Sequence, residues 1–423
     1  TLQSLAIVLK LAVDGPSLVV APTSVSSNWQ SEVRRFTPTI KVKLFTGRDR
    51  EKSIRSLGKF DLLITTYTLL QQEHELLSSV QWQAIILDEA QAIKNSSTKR
   101  SQAAMALSAR FKLITTGTPI ENHLGELWNL FNFINPGLLG SLNSFNERFA
   151  IPIERFHDRE AKLQLKKLIR PFILRRIKSQ VLEELPLRTE VTLEVEMSPE
   201  EAVFYEALRQ NAIDSLENNT DKKGRHLRIL TEIMRLRQAC CHPRLIDANS
   251  NAESAKLRVF SSIVEELLSS GHKALVFSQF IGHLSLIREY LDRQGVSYQY
   301  LDGSTPGKLR KVSVDAFQSG HGDLFLISLK AGGLGLNLTA ADYVIHMDPW
   351  WNPAVEDQAS DRAYRIGQTR PVTIYRLVCK GTVEEKIVKL HQEKRELAGS
   401  LLDGSDISAK MSSEELLDLI RGS

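Results

Sequence analysis

Two adjacent carboxylates, Asp88 and Glu89, follow directly on the apolar run Ala84-Ile85-Ile86-Leu87. If that run is a buried strand, the pair sits at its carboxyl end, where open α/β sheets hold their ligands. This placement suits Mg-nucleotide hydrolysis. An aspartate there can hold the magnesium that bridges the β- and γ-phosphates, and the neighbouring glutamate can orient and polarise the attacking water. Acidic residues are also favoured at helix N-termini, so the pair alone leaves both readings open. The next apolar run ends in Thr115-Thr116-Gly117-Thr118-Pro119, a tight turn of small hydroxyl residues. A sensor coupling phosphate state to domain movement would lie at that position.

Two further stretches lie in the second half of the chain. Ala331-Gly332-Gly333-Leu334-Gly335-Leu336-Asn337 is a glycine-rich loop that lets backbone approach a phosphate or sugar closely. Asp361-Arg362-Ala363-Tyr364-Arg365-Ile366-Gly367-Gln368 places two arginines three residues apart, which on a helix would put both guanidinium groups on one face. Such arginines could stabilise phosphoryl-transfer charge from across a cleft, or form surface salt bridges of little worth. Cys240-Cys241-His242 has no second ligand pair at a suitable spacing and is not expected to hold a metal.

The elements that must position these residues alternate. Strands are predicted at Leu18 to Ala21, Asp61 to Thr65, Ala84 to Leu87 and Lys112 to Thr115, and again at Lys273 to Phe277, Asp323 to Ile327, Tyr343 to His346 and Val372 to Val378. Helical patterns intervene, which is the signature of parallel sheets flanked by helices. The fold class is therefore α/β, with two parallel-sheet lobes and a mostly helical segment, roughly Glu121 to Ser254, inserted between them. The expected domains are 1–135, 136–254 as helical insertions and linker, 255–398, and a tail 399–423 with one short helix opened by a capping box at Ser412 and Glu415. The polar stretch Asp247 to Ser254 is the linker candidate.

Composition narrows the classes. A chain of 423 residues, 42% hydrophobic and 25% charged, has ample material for buried cores. Its apolar runs are far shorter than the roughly 20 residues that cross a bilayer, and three cysteines cannot make a disulfide framework. The net charge of +4 is modest. The basic residues cluster, however, from Lys162 to Lys178 and again from Lys222 to Arg237, where a polyanion could be drawn or where a helix face is merely solvated.

Taken together, the motifs resemble the ATPase motor of the Swi/Snf-type family in helicase superfamily two. Matching stretches occur in family order: Ala21-Pro22 to Asn28-Trp29, Ile64 to Tyr67, Asp88 to Gln91, Thr116 to Pro119, Leu174-Arg175-Arg176, Leu236-Arg237-Gln238, Leu301 to Thr305, Trp351-Asn352-Pro353 and Asp361 to Gln368. They cover nearly the whole chain, and the last two in combination are highly specific.

The resemblance implies two RecA-like lobes, ATP and Mg2+ as cofactors, and double-stranded DNA as the track. DNA-bound proteins would be the targets of remodelling. It implies Asp88, Glu89, Arg362 and Arg365 as catalytic residues, with Thr1 and Asp88 on the metal. Thr1, Gly117, Thr118, Gly333, Gly335 and Gln368 would contact the nucleotide, and Trp29, Thr66, Asn337 and Trp351 the DNA. Core packing is the alternative for the tryptophans, and is expected of Trp350.

Two departures stand out. The chain opens Thr1-Leu2-Gln3, which matches the end of the family's phosphate-binding loop, so Thr1 is expected to be that loop's magnesium-binding hydroxyl with its lysine missing from this sequence. Gln91 stands where many relatives carry histidine. That variant and the compact inserts resemble bacterial members. A cytoplasmic, nucleoid-associated protein is expected of a prokaryote, and a nuclear one of a eukaryote. A strand-separating or RNA-directed helicase, or a hydrolysis-dead scaffold, are the alternatives.

Overall fold

Short runs of aliphatic and β-branched residues make the strands. The computed structural model describes residues 1–23, 25–45, 49–117, 123–156, 158–174, 185–217, 224–332, 336–398 and 413–421. In the first half they form β1 (Ser17–Ala21), β2 (Lys41–Leu44), β3 (Asp61–Thr66), β4 (Trp82–Asp88) and β5 (Ala109–Thr115), all parallel, in the order β2-β3-β1-β4-β5. In the second they form β6 (Arg188–Val195), β7 (Ala274–Ser278), β8 (Tyr298–Leu301), β9 (Leu324–Ser328), β10 (Tyr343–His346) and β11 (Val372–Cys379), again parallel, in the order β6-β11-β10-β7-β9-β8. The expectation of two parallel-sheet α/β lobes is borne out.

Each sheet is covered on both faces, as parallel sheets require. Alternation along β1 sends Leu18 and Val20 into one core, with Leu63, Ile85 and Leu87, and Val19 and Ala21 into the other, with Leu62, Ile64 and Ile86. The second sheet divides the same way, with Ala274 and Val276 on one side and Leu275 and Phe277 on the other. A separate helical core gathers Leu127, Phe131, Phe145, Leu165 and Ile169.

The chain divides into two compact units, one of Thr1–Arg175 with Ala398–Ser405 and a second of Arg176–Leu397 with Asp406–Ser423. The segment read as a helical insertion, 136–254, is shared between them. Its residues from Arg188 to Val195 are a strand, pairing with β11 over its whole length. The helices Pro199–Glu217 and Arg225–Cys241 supply Tyr205, Leu216, Ile229 and Ile233 to the core of the second unit.

The stretch Asp247 to Ser254 joins two helices of that same unit rather than two units. Its last residue caps the helix Ala255–Ser269, with Leu257 N donating to Ser254 Oγ at 3.2 Å and Ser254 Oγ donating to Cys241 O at 2.9 Å. The C-terminal helix Ser413–Arg421 docks on the same core through Leu416, Leu417 and Ile420. Among the described residues no helix is long and apolar enough to cross a membrane.

Candidate functional site

Strand register builds the first site. β4 and β5 pair so that Asp88 stands directly beside Thr115, and Thr115 Oγ1 donates to Asp88 Oδ1 at 2.6 Å. The same oxygen accepts the backbone N–H of Glu89 at 3.2 Å. The other oxygen, Oδ2, accepts Trp29 Nε1 at 2.7 Å. Tyr67, one residue beyond β3, donates its hydroxyl to the main-chain oxygen of Asp88 at 2.8 Å. Burial, reinforced by the negative charges of Asp88 and Glu89, pushes the Tyr67 phenol well above its ordinary pKa, which keeps it a neutral donor.

Glu89 leaves the strand in the left-handed region, at φ 52° and ψ 55°. A non-glycine residue there is strained, and strain of this kind gathers at functional sites. The turn redirects the chain into the short 3₁₀ helix Ala90–Ile93, which brings Gln91 back over Glu89. Gln91 Nε2 donates to Glu89 Oε2 at 2.8 Å, and Gln91 Oε1 accepts Thr116 Oγ1 at 3.0 Å. Thr115 at the end of β5 and Thr116 just beyond it are thus tied to Asp88 at the end of β4 and Glu89 just beyond it, Thr115 directly and Thr116 through an amide. Both carboxylates are half-buried.

The second unit presents the other stretch. Arg362 and Arg365 do not share a helix face, contrary to the expectation from their spacing. The helix Pro353–Ser360 ends before them, and the backbone continues in tighter turns, with Ala363 N bonding Ser360 O at 3.1 Å and Arg362 N bonding Ala359 O at 3.3 Å. Arg362 is 3% exposed, whereas Arg365 faces solvent, with its Nη1 3.5 Å from Leu336 O.

Gln368, expected at the nucleotide, is instead buried and occupied. Its amide nitrogen reaches the carbonyls of Thr339, Ala341 and Ala363 at 3.2, 2.8 and 3.1 Å, and its oxygen accepts Thr369 N and Arg370 N at 2.9 and 3.0 Å. Five backbone groups saturate the side chain, so it clasps loops together and has no capacity left for a ligand.

The tryptophans are also placed differently from expectation. Trp29 is 1% exposed and lies in the core on one face of the first sheet. Trp351 is buried in the second unit, where it and Phe280 receive the guanidinium of the fully buried Arg237, 5.6 and 5.7 Å from the ring centroids. Neither ring offers a face to DNA, because each is taken up by packing. Trp350, expected in the core, is the half-buried member of the pair.

Of the remaining expected residues, Thr66 caps the helix Tyr67–Gln72, accepting Leu69 N at 3.3 Å, and keeps part of its surface. Asn337 and Gly117 are exposed, and among the described residues a side chain at Gly117 would meet nothing within 4 Å. Thr1 is exposed at the head of the helix Leu2–Leu11. Thr118, Gly333 and Gly335 lie outside the described residues, as do Arg175 and Arg176. The residues that sequence reasoning passed over are the partners of the carboxylates: Tyr67, Thr115 as a direct ligand of Asp88, and Gln91 as a bridge. The β4 to β5 adjacency was the one available signal for Thr115.

Comparison with known proteins agrees with these motifs. Residues 1–245 match the SNF2-related domain and residues 255–367 the helicase conserved C-terminal domain. YwqA of Bacillus subtilis, named as a helicase or translocase, is 39% identical over 434 residues, covering 99% of this chain and 47% of that protein. The ISWI chromatin-remodeling complex ATPase CHR11 of Arabidopsis thaliana is 34% identical over 445 residues, covering 100% of this chain and 42% of that one. The chain thus spans less than half the length of these relatives. Among solved structures, the Sulfolobus solfataricus SWI2/SNF2 ATPase core domain is 37% identical with a TM-score of 0.49, covering 100% of this chain and 88% of that one.

Proposed function

Because the chain belongs to the SNF2-related family, we propose that it is the motor of an enzyme that hydrolyses ATP to move along double-stranded DNA and so remodels or displaces proteins bound there. The observation that carries this reading is the pair Asp88 and Glu89, held at a strand's carboxyl end by the residues that end the neighbouring strand. Such a linkage suits a site whose hydrogen bonds must change as a phosphate is cleaved.

Asp88 fits a hard divalent cation. A carboxylate has about four lone-pair directions. Among the described residues Thr115, Glu89 N and Trp29 use three, leaving one on the half-buried carboxylate. Asp88 would hold Mg2+, with Thr1 as the second ligand that the family resemblance implies. When bound, the cation neutralises charge on the β- and γ-phosphate oxygens.

The chain's own residues do the rest. Glu89, fixed by Gln91, orients the attacking water. The family resemblance assigns positive charge at the transferring phosphoryl group to Arg362 and Arg365, of which Arg365 is exposed and Arg362 buried in its own unit. Gly117, Thr118, Gly333 and Gly335 are assigned to the nucleotide on the family resemblance, and of these Gly117 is exposed. Thr66 and Asn337 are assigned to DNA. The helix Arg159–Ile169 and the residue after it support phosphate contact, since Lys166, Lys167 and Arg170 are exposed. DNA as the track places the protein at the nucleoid of a prokaryote or in the nucleus of a eukaryote.

ATP turnover of the full-length protein, measured with and without duplex DNA, tests the reading. Duplex should stimulate turnover, with a stimulation that falls steeply as salt rises. Equal rates at low salt would refute it.

A further inference from the structure

Trp29 follows β1 on the helix Ser26–Phe36 and is sealed among Val25, Val33, Ile64 and Ile86. Its one polar atom, Nε1, is 2.7 Å from Asp88 Oδ2. A buried indole N–H needs an acceptor, and it can only donate. A main-chain carbonyl would suffice, as Trp82 in the same unit demonstrates: it is 2% exposed and donates to Leu77 O at 2.8 Å. Trp29 instead donates to a side-chain carboxylate 59 residues away in sequence.

The geometry of Asp88 gives that bond a consequence. Thr115 Oγ1 holds Oδ1 at 2.6 Å, and Trp29 holds Oδ2 at 2.7 Å. Donors on both oxygens fix the rotation of the carboxylate about its terminal bond, which would otherwise be broad. The remaining lone pair therefore points in one direction. Because the indole is a rigid ring locked in a packed core, its N–H cannot follow the carboxylate if the latter turns.

We propose that Trp29 is a positioning residue for the cation of the nucleotide site, its buried N–H fixing the orientation in which Asp88 holds Mg2+. This rests on the reading of Asp88 as the cation ligand. Outer partners of a metal-binding carboxylate typically change metal affinity or activity about 10- to 100-fold when removed.

The test uses the full-length protein with Mn2+ in place of Mg2+. Its binding in the presence of ADP is followed by electron paramagnetic resonance, alongside melting temperature and duplex-stimulated ATP turnover. Trp29→Phe removes the donor. Should that variant fail to fold, replacing Trp29 by benzothienylalanine keeps the ring's shape and lacks the N–H. Trp82→Phe removes an equally buried indole donor that does not touch Asp88.

The expected result is Mn2+ binding weakened about tenfold or more in the Trp29 proteins and unchanged in Trp82→Phe, even where that variant melts lower. Mn2+ binding within about twofold of the unaltered protein in the benzothienylalanine form, far short of the loss expected of an outer-shell partner, would overturn the assignment. If duplex-stimulated turnover of the unaltered protein were intact, the proposed function would still stand. An unaltered protein that bound no Mn2+ with ADP would overturn both.

Discussion

Gln91 donates its side-chain amide to Glu89 across 2.8 Å while receiving the hydroxyl of Thr116 at 3.0 Å. The glutamine therefore transmits any movement of the β5 turn to the residue assigned to the attacking water. An amide serves because it donates at one end and accepts at the other. Replacing Gln91 by leucine breaks both links without removing a charge. Losing one orienting hydrogen bond is worth about 1 kcal/mol, or roughly five- to tenfold in rate. Duplex-stimulated kcat should fall by that order with the KM for ATP nearly unchanged. An unchanged kcat would show that the bridge is idle.

Glu89 sits at φ 52°, a conformation that costs a side-chain-bearing residue roughly 1–2 kcal/mol and glycine almost nothing. Glu89→Gly should therefore raise the stability of the first unit slightly, by up to about 1 kcal/mol after glycine's greater freedom in the unfolded chain is set against the relief. It should also abolish turnover. Glu89→Gln should abolish turnover without that gain. Denaturation midpoints of the two variants, measured side by side, check it. A Glu89→Gly protein less stable than Glu89→Gln would contradict the strain argument.

Acid should weaken the second unit. Burial lowers the pKa of His242 and of His346 to about 4, and that of His283 well below the ordinary value. Unfolded, each takes up a proton near pH 6.5. The folded state thus binds fewer protons, and the stability these residues contribute is complete above about pH 6.5 and is lost as pH falls towards 4. Asp348, raised by burial to about 6, acts in the opposite sense, but as one group against three.

At pH 5 the net loss should be on the order of a few kcal/mol. Urea midpoints at pH 7 and pH 5 measure it. Neither ring nitrogen of His283 has a hydrogen-bond partner among the described residues, so His283→Leu should raise the midpoint and reduce its pH dependence. A midpoint that does not fall with acid would refute the account.

Gln368 and Arg365 should separate stability from chemistry. Gln368→Ala leaves five buried or half-buried backbone groups without their partner, a loss on the order of 3 kcal/mol. Arg365→Ala, at an exposed position, should leave melting temperature nearly unchanged and reduce ATP turnover by about 10³ or more. If instead Gln368→Ala melted normally and raised the KM for ATP, the clasp would be wrong and the nucleotide contact right.

The apolar strands were legible because each carries a short, largely buried run dominated by apolar residues. β10 lies where its run predicted it, and β1, β4, β7 and β9 do so with ends shifted by a residue or two. β2, Lys41-Val42-Lys43-Leu44, and β8, Tyr298-Gln299-Tyr300-Leu301, are edge strands whose polar residues hide the signal. β6 alternates as a strand should, yet pairs with β11 at a distance of more than 180 residues, and only tertiary contact places it.

The site divides similarly. The carboxylates could be found from their place at a strand end, a rule that operates within a few residues. The burial of Trp29 against Asp88, and of Trp351 under Arg237, depends on chain segments far apart, so motif position suggested a DNA surface where packing made a core. Arg362 and Arg365 misled for the opposite reason. A helical spacing is informative only inside a helix, and the helix ends at Ser360.

The central claim is directional movement along duplex DNA driven by ATP, and displacement of a triplex-forming strand from a duplex tests it most directly. The full-length protein should release the third strand only when ATP is present. It should not separate the duplex strands themselves, and Glu89→Gln should bind the substrate and release nothing. Duplex unwinding with no triplex release would contradict the account, as would triplex release by the Glu89→Gln protein.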